Sequence, residues 1–124
     1  YKAQIILTSD WKGCWNKDFA QCDKEGQYLV NKLKEYGLTI LDKTIDKRGS
    51  FYRGQGIIDW LNANNCNDSD FFVFDDNYFE FEKYENIKNR AIWTMDGIQT
   101  AKPMFDDFEN DLLLECINLI RKNI

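Results

Sequence analysis

The sequence predicts an α/β protein: a Rossmann-like three-layer sandwich with a mostly parallel sheet and helices on both faces. Three observations lead there. Apolar runs of strand length, Ala3–Leu7 and Phe71–Phe74, read as strands buried on both sides. They alternate with segments of helical period, the pattern of right-handed βαβ units. Polar, acid-bearing residues follow two of the strands at once, where open α/β sheets place their ligands.

Taken in order, AQIIL is the first strand, and Thr8-Ser9-Asp10 is its polar edge, leading into a Trp- and Lys-bearing loop, Trp11 to Trp15. From about Asp23, Tyr28, Leu29, Leu33 and Tyr36 recur at helical spacing, and Gly37 suits the left-handed residue that ends helices. Leu38 to Leu41 is a short strand, and the glycine-containing segment Asp42 to Tyr52 a turn-rich loop. Arg53 to Asn64 is helical through Ile57, Ile58, Trp60 and Leu61, with Trp60 and Leu61 as core. A polar loop then leads into the Phe71 strand, which stops at Asp75-Asp76-Asn77. The register of Tyr78 to Tyr84 is not fixed by its pattern, and Glu80 to Glu85 reads as a solvated face. Ala91 to Thr94 is the last short strand and Asp96-Gly97 a turn. An amphipathic helix, Phe105 to Ile120, rests on Phe108, Leu112, Leu113, Cys116, Ile117 and Ile120. Asp106, Asp107, Glu109 and Asp111 are acids in its first turns, where the helix dipole favours them.

Composition narrows the function classes. With 124 residues, 44% hydrophobic and 15% aromatic, the chain suits a single domain, 1–124. A net charge of −5 argues against a duplex-binding surface, which needs clustered Lys and Arg. No apolar run reaches the ~20 residues of a membrane span, and the expectation is a soluble, cytoplasmic protein. There is no histidine, which removes Ser-His-Asp and Cys-His nucleophile systems and His-ligated metals. Cys14, Cys22, Cys66 and Cys116 have no CxxC spacing and read as free thiols, with Cys116 in the core.

Two features carry chemistry. Asp75 and Asp76, adjacent hard oxygen donors at a strand end, suit Mg²⁺; otherwise solvated acids simply begin a turn there. Thr8-Ser9-Asp10 leaves the same edge of a parallel sheet, so the two can converge on one crevice. Arg53 places a cation at a helix N-terminus, against the dipole, and so calls for an anionic partner. Trp11 and Trp15 read as packing under the loop, or as a platform for a base.

The segments IILTSDWK, YGLTILDKTI, RGQGIIDWLN, FFVFDDN and AIWTMDGIQ together resemble the haloacid-dehalogenase-like (HAD) phosphatase superfamily, closest to the small, cap-poor domains of RNA-repair proteins. The resemblance covers nearly the whole chain from Ile5 onward. It implies a phosphoryl hydrolase in which an aspartate attacks phosphorus. Thr8 or Ser9 would bind a phosphoryl oxygen. Arg53, with Lys47 and Arg48 as rivals, would face the phosphate, and Asp75 and Asp76 would hold Mg²⁺. Lys12 stands where the family often has arginine, and Gln55-Gly56 departs from its Gly-x-Glu-Ile, a change expected to matter little. The family's first motif, Asp-x-Asp, is not found at the start of this chain. Either the alignment begins one strand and one helix late, or Asp10 is the nucleophile with Lys12 at the acid position. A sheet lacking its central strand would expose unpaired backbone groups, so such a chain should rearrange, borrow a strand or form a homodimer. The substrate implied is a small phosphorylated compound, a nucleotide or a nucleic-acid end included. The alternative is a catalytically silent Rossmann-like binding or assembly module. A response-regulator-like receiver fits less well, because an acceptor Asp and a late Lys on strand ends are not found.

Overall fold

The computed structural model describes residues 4–67, 70–94, 101–105 and 111–122. Strand β1 (Gln4–Leu7) is followed by a single 3-10 turn, Asp10–Gly13, and a second, Phe19–Gln21. Helix α1 (Lys24–Glu35) then crosses over to β2 (Thr39–Lys43), which pairs with β1 in parallel. Glu25 in its first turn and Lys32 and Lys34 in its last complement the helix dipole. The helix ends in a Schellman motif: Gly37 has φ 72°, its N–H donates to Lys34 O, and Leu38 N–H donates to Leu33 O, both at 3.0 Å.

A 3-10 turn at Ser50–Tyr52 runs into α2 (Arg53–Ala63). Beyond it lie β3 (Val73–Asp75), a 3-10 turn at Phe81–Lys83, α3 (Glu85–Lys88), β4 (Ala91–Trp93), β5 (Lys102–Pro103) and α4 (Asp111–Lys122). Strand β4 is central, parallel to β3 and antiparallel to β5.

The core divides with the sheets. Leu7, Trp15 and Cys22 form one cluster with Ile5, Leu29, Val30 and Ile40, between β1–β2 and α1. A larger cluster joins Ile57 and Leu61 of α2 to Val73, Phe81, Ile87, Ala91 and Met104. Ile92, Ala101 and Ile117 make the third, which seats α4.

The expected Rossmann-like three-layer sandwich with one mostly parallel sheet is therefore not what this chain forms. Among the described residues β1 pairs only with β2 and β3 only with β4, so the strands make a two-stranded and a three-stranded sheet, the second of mixed sense. Hydrophobic runs locate strands, but which strands pair depends on contacts distant in sequence, and here β1 and β3 do not meet.

Smaller differences have physical causes. Strand β3 is set two residues later than the apolar run suggests, because Asp75 N–H and C=O belong to the ladder with β4: Thr94 N–H donates to Asp75 O at 3.0 Å. The Glu80 to Glu85 stretch is solvated only in part: Glu82, Lys83 and Glu85 are exposed, whereas Phe81 has no exposed surface and Glu80 is buried. Tyr28 and Tyr36, which recur at helical spacing with Leu29 and Leu33, are 62% and 72% exposed. That helix instead packs through Leu29 and Val30, and through Gly26 against the Cys14 carbonyl. Strand β5 follows the segment read as the last strand. Cys14, Cys22 and Cys116 are free thiols, as expected. The Asp96-Gly97 turn, Phe108 and the acids Asp106, Asp107 and Glu109 lie outside the described residues.

Candidate functional site

The site is built around one guanidinium. Arg53 opens α2 and is 4% exposed. Its Nη1 donates to Asp75 Oδ2 at 3.0 Å and its Nη2 to Asp10 Oδ1 at 3.1 Å. The first partner stands at the end of β3, the second just past β1, so one side chain ties the carboxyl ends of two strands from different sheets. The cation that opposes the helix dipole at this position has the anionic partners it calls for. The guanidinium also lies over the Phe79 ring, 4.2 Å from its centroid.

Burial orders the two acids differently. Asp75 is held on both oxygens, because Asn77 N–H donates to Oδ1 at 3.1 Å while Arg53 takes Oδ2. Burial nevertheless pushes its carboxyl above the usual range, Arg53 offsets part of that rise, and the hydrogen-bonded Asp76 side chain adds to it. Asp10 stands in solvent, with 87% of its side chain exposed. The site thus has a buried acid behind Arg53 and an open one in front.

The loop after Asp75 is shaped by short-range bonds. Asn77 Oδ1 accepts the Phe79 N–H at 3.2 Å, and Phe79 adopts φ 42°, which lays its ring beneath Arg53. Glu80, buried nearby, accepts the Gln55 N–H at 2.9 Å and so satisfies one of the free donors at the start of α2. Gln55 Oε1 accepts from the Tyr84 hydroxyl at 2.9 Å, and a Cβ at Gly54 would meet the Tyr84 ring at 2.8 Å. The first turn of α2, which carries Arg53, is thereby anchored to Glu80 and Tyr84.

The other expected residues are placed as follows. Thr8 and Ser9 are half-buried on the approach to Asp10, and the Ser9 carbonyl accepts the Lys12 N–H at 3.1 Å. Lys12 turns away from the carboxylates bound by Arg53 and pairs with Asp46 and the Thr44 hydroxyl. The rival cations stand elsewhere: Lys47 is exposed, and Arg48 lies 4.4 Å over the Tyr52 ring. Trp15 is buried and packs, whereas Trp11 is 44% exposed. Asp76 is exposed, beside Asp75 in sequence but not behind Arg53.

Asp75 and Asp76 supply oxygens of the kind Mg²⁺ takes. Arg53 already sets a positive charge 3.0 Å from Asp75 Oδ2, so a divalent ion at Asp75 has to compete with it. A different grouping was not evident from spacing: Cys14, Asp23 and Glu25 offer ligand atoms within 4.8 Å of one another. The Cys14 carbonyl accepts the Asp23 N–H at 3.1 Å, and this fold-back onto the start of α1 brings the three together. Both acids are exposed, where a helix N-terminus favours them without an ion.

Sequence reasoning missed Glu80 and the role of Gln55. The signal available was an acid flanked by aromatics, Phe79-Glu80-Phe81, which favours burial over solvation. Compared with models of protein families, with curated proteins and with solved structures, the chain matches none.

Proposed function

We propose that the chain is a phosphoryl-ester hydrolase domain whose crevice lies at the ends of β1 and β3. The observation that carries this reading is the Arg53 fork, buried and bound to Asp75 and to the solvent-facing Asp10. A guanidinium is the side chain best shaped to take phosphate oxygens two at a time. Asp10, the open acid, is the nucleophile: its carboxylate attacks phosphorus, the ester bond breaks, and water then hydrolyses the acyl phosphate. Arg53 orients Asp10 and moves its Nη2 contact onto the incoming phosphoryl oxygens, and the Thr8 and Ser9 hydroxyls complete the rim. Asp75 holds Arg53 in place from behind. Mg²⁺, when bound by Asp75 and Asp76, would neutralise charge on the substrate.

One observation favours a second reading, a catalytically silent binding module. Both arms of the Arg53 fork are already occupied by carboxylates, an arrangement that also serves simply to join the two sheets.

Hydrolysis of p-nitrophenyl phosphate, measured with and without Mg²⁺ on the chain and on Asp10→Asn, separates the two. Turnover that Asp10→Asn abolishes supports the hydrolase. Absent turnover, with phosphate still bound, supports the module.

A further inference from the structure

A cavity that shares none of the residues around Arg53 opens between the loop after β1, helix α1 and the start of β2. It encloses about 310 Å³ and is lined by Trp15, Lys17, Phe19, Val30, Lys34 and Ile40, among others, a size at the lower end of small-ligand sites.

Its walls are held by bonds that do not depend on a ligand. Lys43 Nζ donates to the Trp15 carbonyl at 3.0 Å, and Asn16 N–H donates to the buried Cys22 sulfur at 3.2 Å. Gln27 Nε2, on α1, donates to the Phe19 carbonyl at 3.3 Å, while Asp18 accepts the Ala20 N–H and caps the 3-10 turn that carries Phe19. The Phe19 backbone is therefore held, and its side chain, 44% exposed, leaves an aromatic surface uncovered on that wall. Val30 and Ile40 give the slot an aliphatic side.

Charge singles the slot out. The whole chain has 21 acids against 16 bases, yet both charged residues lining this cavity are lysines and neither is matched by an acid in the lining. Lys17 has only a distant partner, Asp42 at 4.0 Å. Lys34 is exposed near the C-terminal end of α1. An apolar slot with an aromatic wall and two cations suits a flat ring bearing negative charge.

We infer that this cavity is a binding site for a planar aromatic anion of the size of a nucleoside monophosphate. The ring enters between Phe19 and the Val30–Ile40 side, and the anion meets Lys17 and Lys34. Apolar burial supplies the orientation-independent part of the affinity, and the lysines select for charge.

The test uses adenosine 5′-monophosphate, adenosine and inorganic phosphate, each titrated by calorimetry into the chain and into Lys34→Glu, Phe19→Ala and Asp10→Asn. The expected result is saturable binding of the nucleotide that depends on Lys34, with adenosine much weaker and any phosphate binding, which the Arg53 fork also offers, indifferent to Lys34→Glu. Lys34→Glu should weaken nucleotide binding roughly threefold to tenfold, as loss and reversal of an exposed ion contact do, and Phe19→Ala should weaken it too. Phosphate binding that Lys34→Glu weakens as much as it weakens the nucleotide, or adenosine binding equally well, would overturn the inference. So would loss on Asp10→Asn with none on Lys34→Glu, which would assign the nucleotide to the Arg53 site. Thermal unfolding of each variant separates a lost contact from a lost fold.

Discussion

At the scale of single residues, Arg53 has the largest consequences, because it is a buried charge whose cost is met by two carboxylates and an aromatic face. Arg53→Ala strands the Asp75 carboxylate behind the Phe79 loop, and breaking a buried pair from one side costs roughly 3–5 kcal/mol. Denaturant unfolding should register that loss, and Arg53→Ala/Asp75→Asn should recover part of it, because no unpaired charge then remains buried. A double mutant no more stable than Arg53→Ala would mean that the pair is not coupled. Asp42 offers a pH-dependent counterpart. The Trp60 indole donates to Asp42 Oδ2 at 2.9 Å, and this bond lowers the Asp42 pKa against the opposing effect of burial. A carboxyl with a depressed folded pKa stabilises the fold above its unfolded value of 3.8 and loses that contribution as pH falls through the folded one. Asp42→Asn should therefore unfold about 1 kcal/mol more easily at pH 7, and the gap to the parent chain should close in acid below pH 3.8. Asp75 runs the other way. Its raised pKa favours the fold at low pH, and that contribution is lost as pH rises through the folded value. Comparing Asp42→Asn with its own parent at each pH removes the Asp75 contribution from the difference.

Among the elements, α1 depends on a glycine for a reason that helix propensity alone would not suggest. Alanine is preferred to glycine within a helix by about 1 kcal/mol. A Cβ at Gly26, however, would stand 2.0 Å from the Cys14 carbonyl oxygen, which is backbone and already accepts the Asp23 N–H. Gly26→Ala should thus destabilise the chain, by about 1–3 kcal/mol as overpacking does, while Gly13→Ala, with nothing within 4 Å of the added carbon, should be tolerated. Equal melting temperatures for the two variants would show that the loop can move aside. The same helix marks what a sequence can disclose. Its span, its stop at Gly37 and the positions of α2 and β4 follow from local signals, as does the calling of Arg53 to an anion. The Tyr28 and Tyr36 spacing misleads because it is compatible with an exposed stripe as well as a buried one, and only the partner face decides. For Glu80 the flanking aromatics signal burial, but its pairing with Gln55 is not legible, because each is defined by the other across 25 residues. Asp10 and Asp75 are linked through Arg53 rather than through a shared sheet, and a side-chain bridge leaves no periodic trace.

For the molecule as a whole, the division into two sheets leaves β1 and β3 each with one unpaired edge among the described residues. A parallel pair as short as β1–β2 is weak alone and is normally part of a larger, covered sheet. Its stability here rests on the Leu7–Trp15–Cys22 cluster and on α1, while the link to the second sheet includes the Arg53 bridge. Free strand edges are templates for pairing with another chain, and Phe74 on β3, 42% exposed, adds apolar surface beside one of them. The expected outcome is concentration-dependent self-association, which sedimentation velocity from low to high micromolar concentration would read as a shift from monomer to dimer. Phe74→Lys, which places a charge at that edge, should move the shift to higher concentration without lowering the unfolding midpoint, since Phe74 is not a member of the buried clusters. A monomer at every concentration would mean that these two edges, and those of β2 and β5, are all protected. Association unchanged by Phe74→Lys would direct attention to β1. If the β1 edge is the one that pairs, association should weaken in step with the Arg53→Ala loss of stability, because Asp10 ties the end of β1 to the same guanidinium.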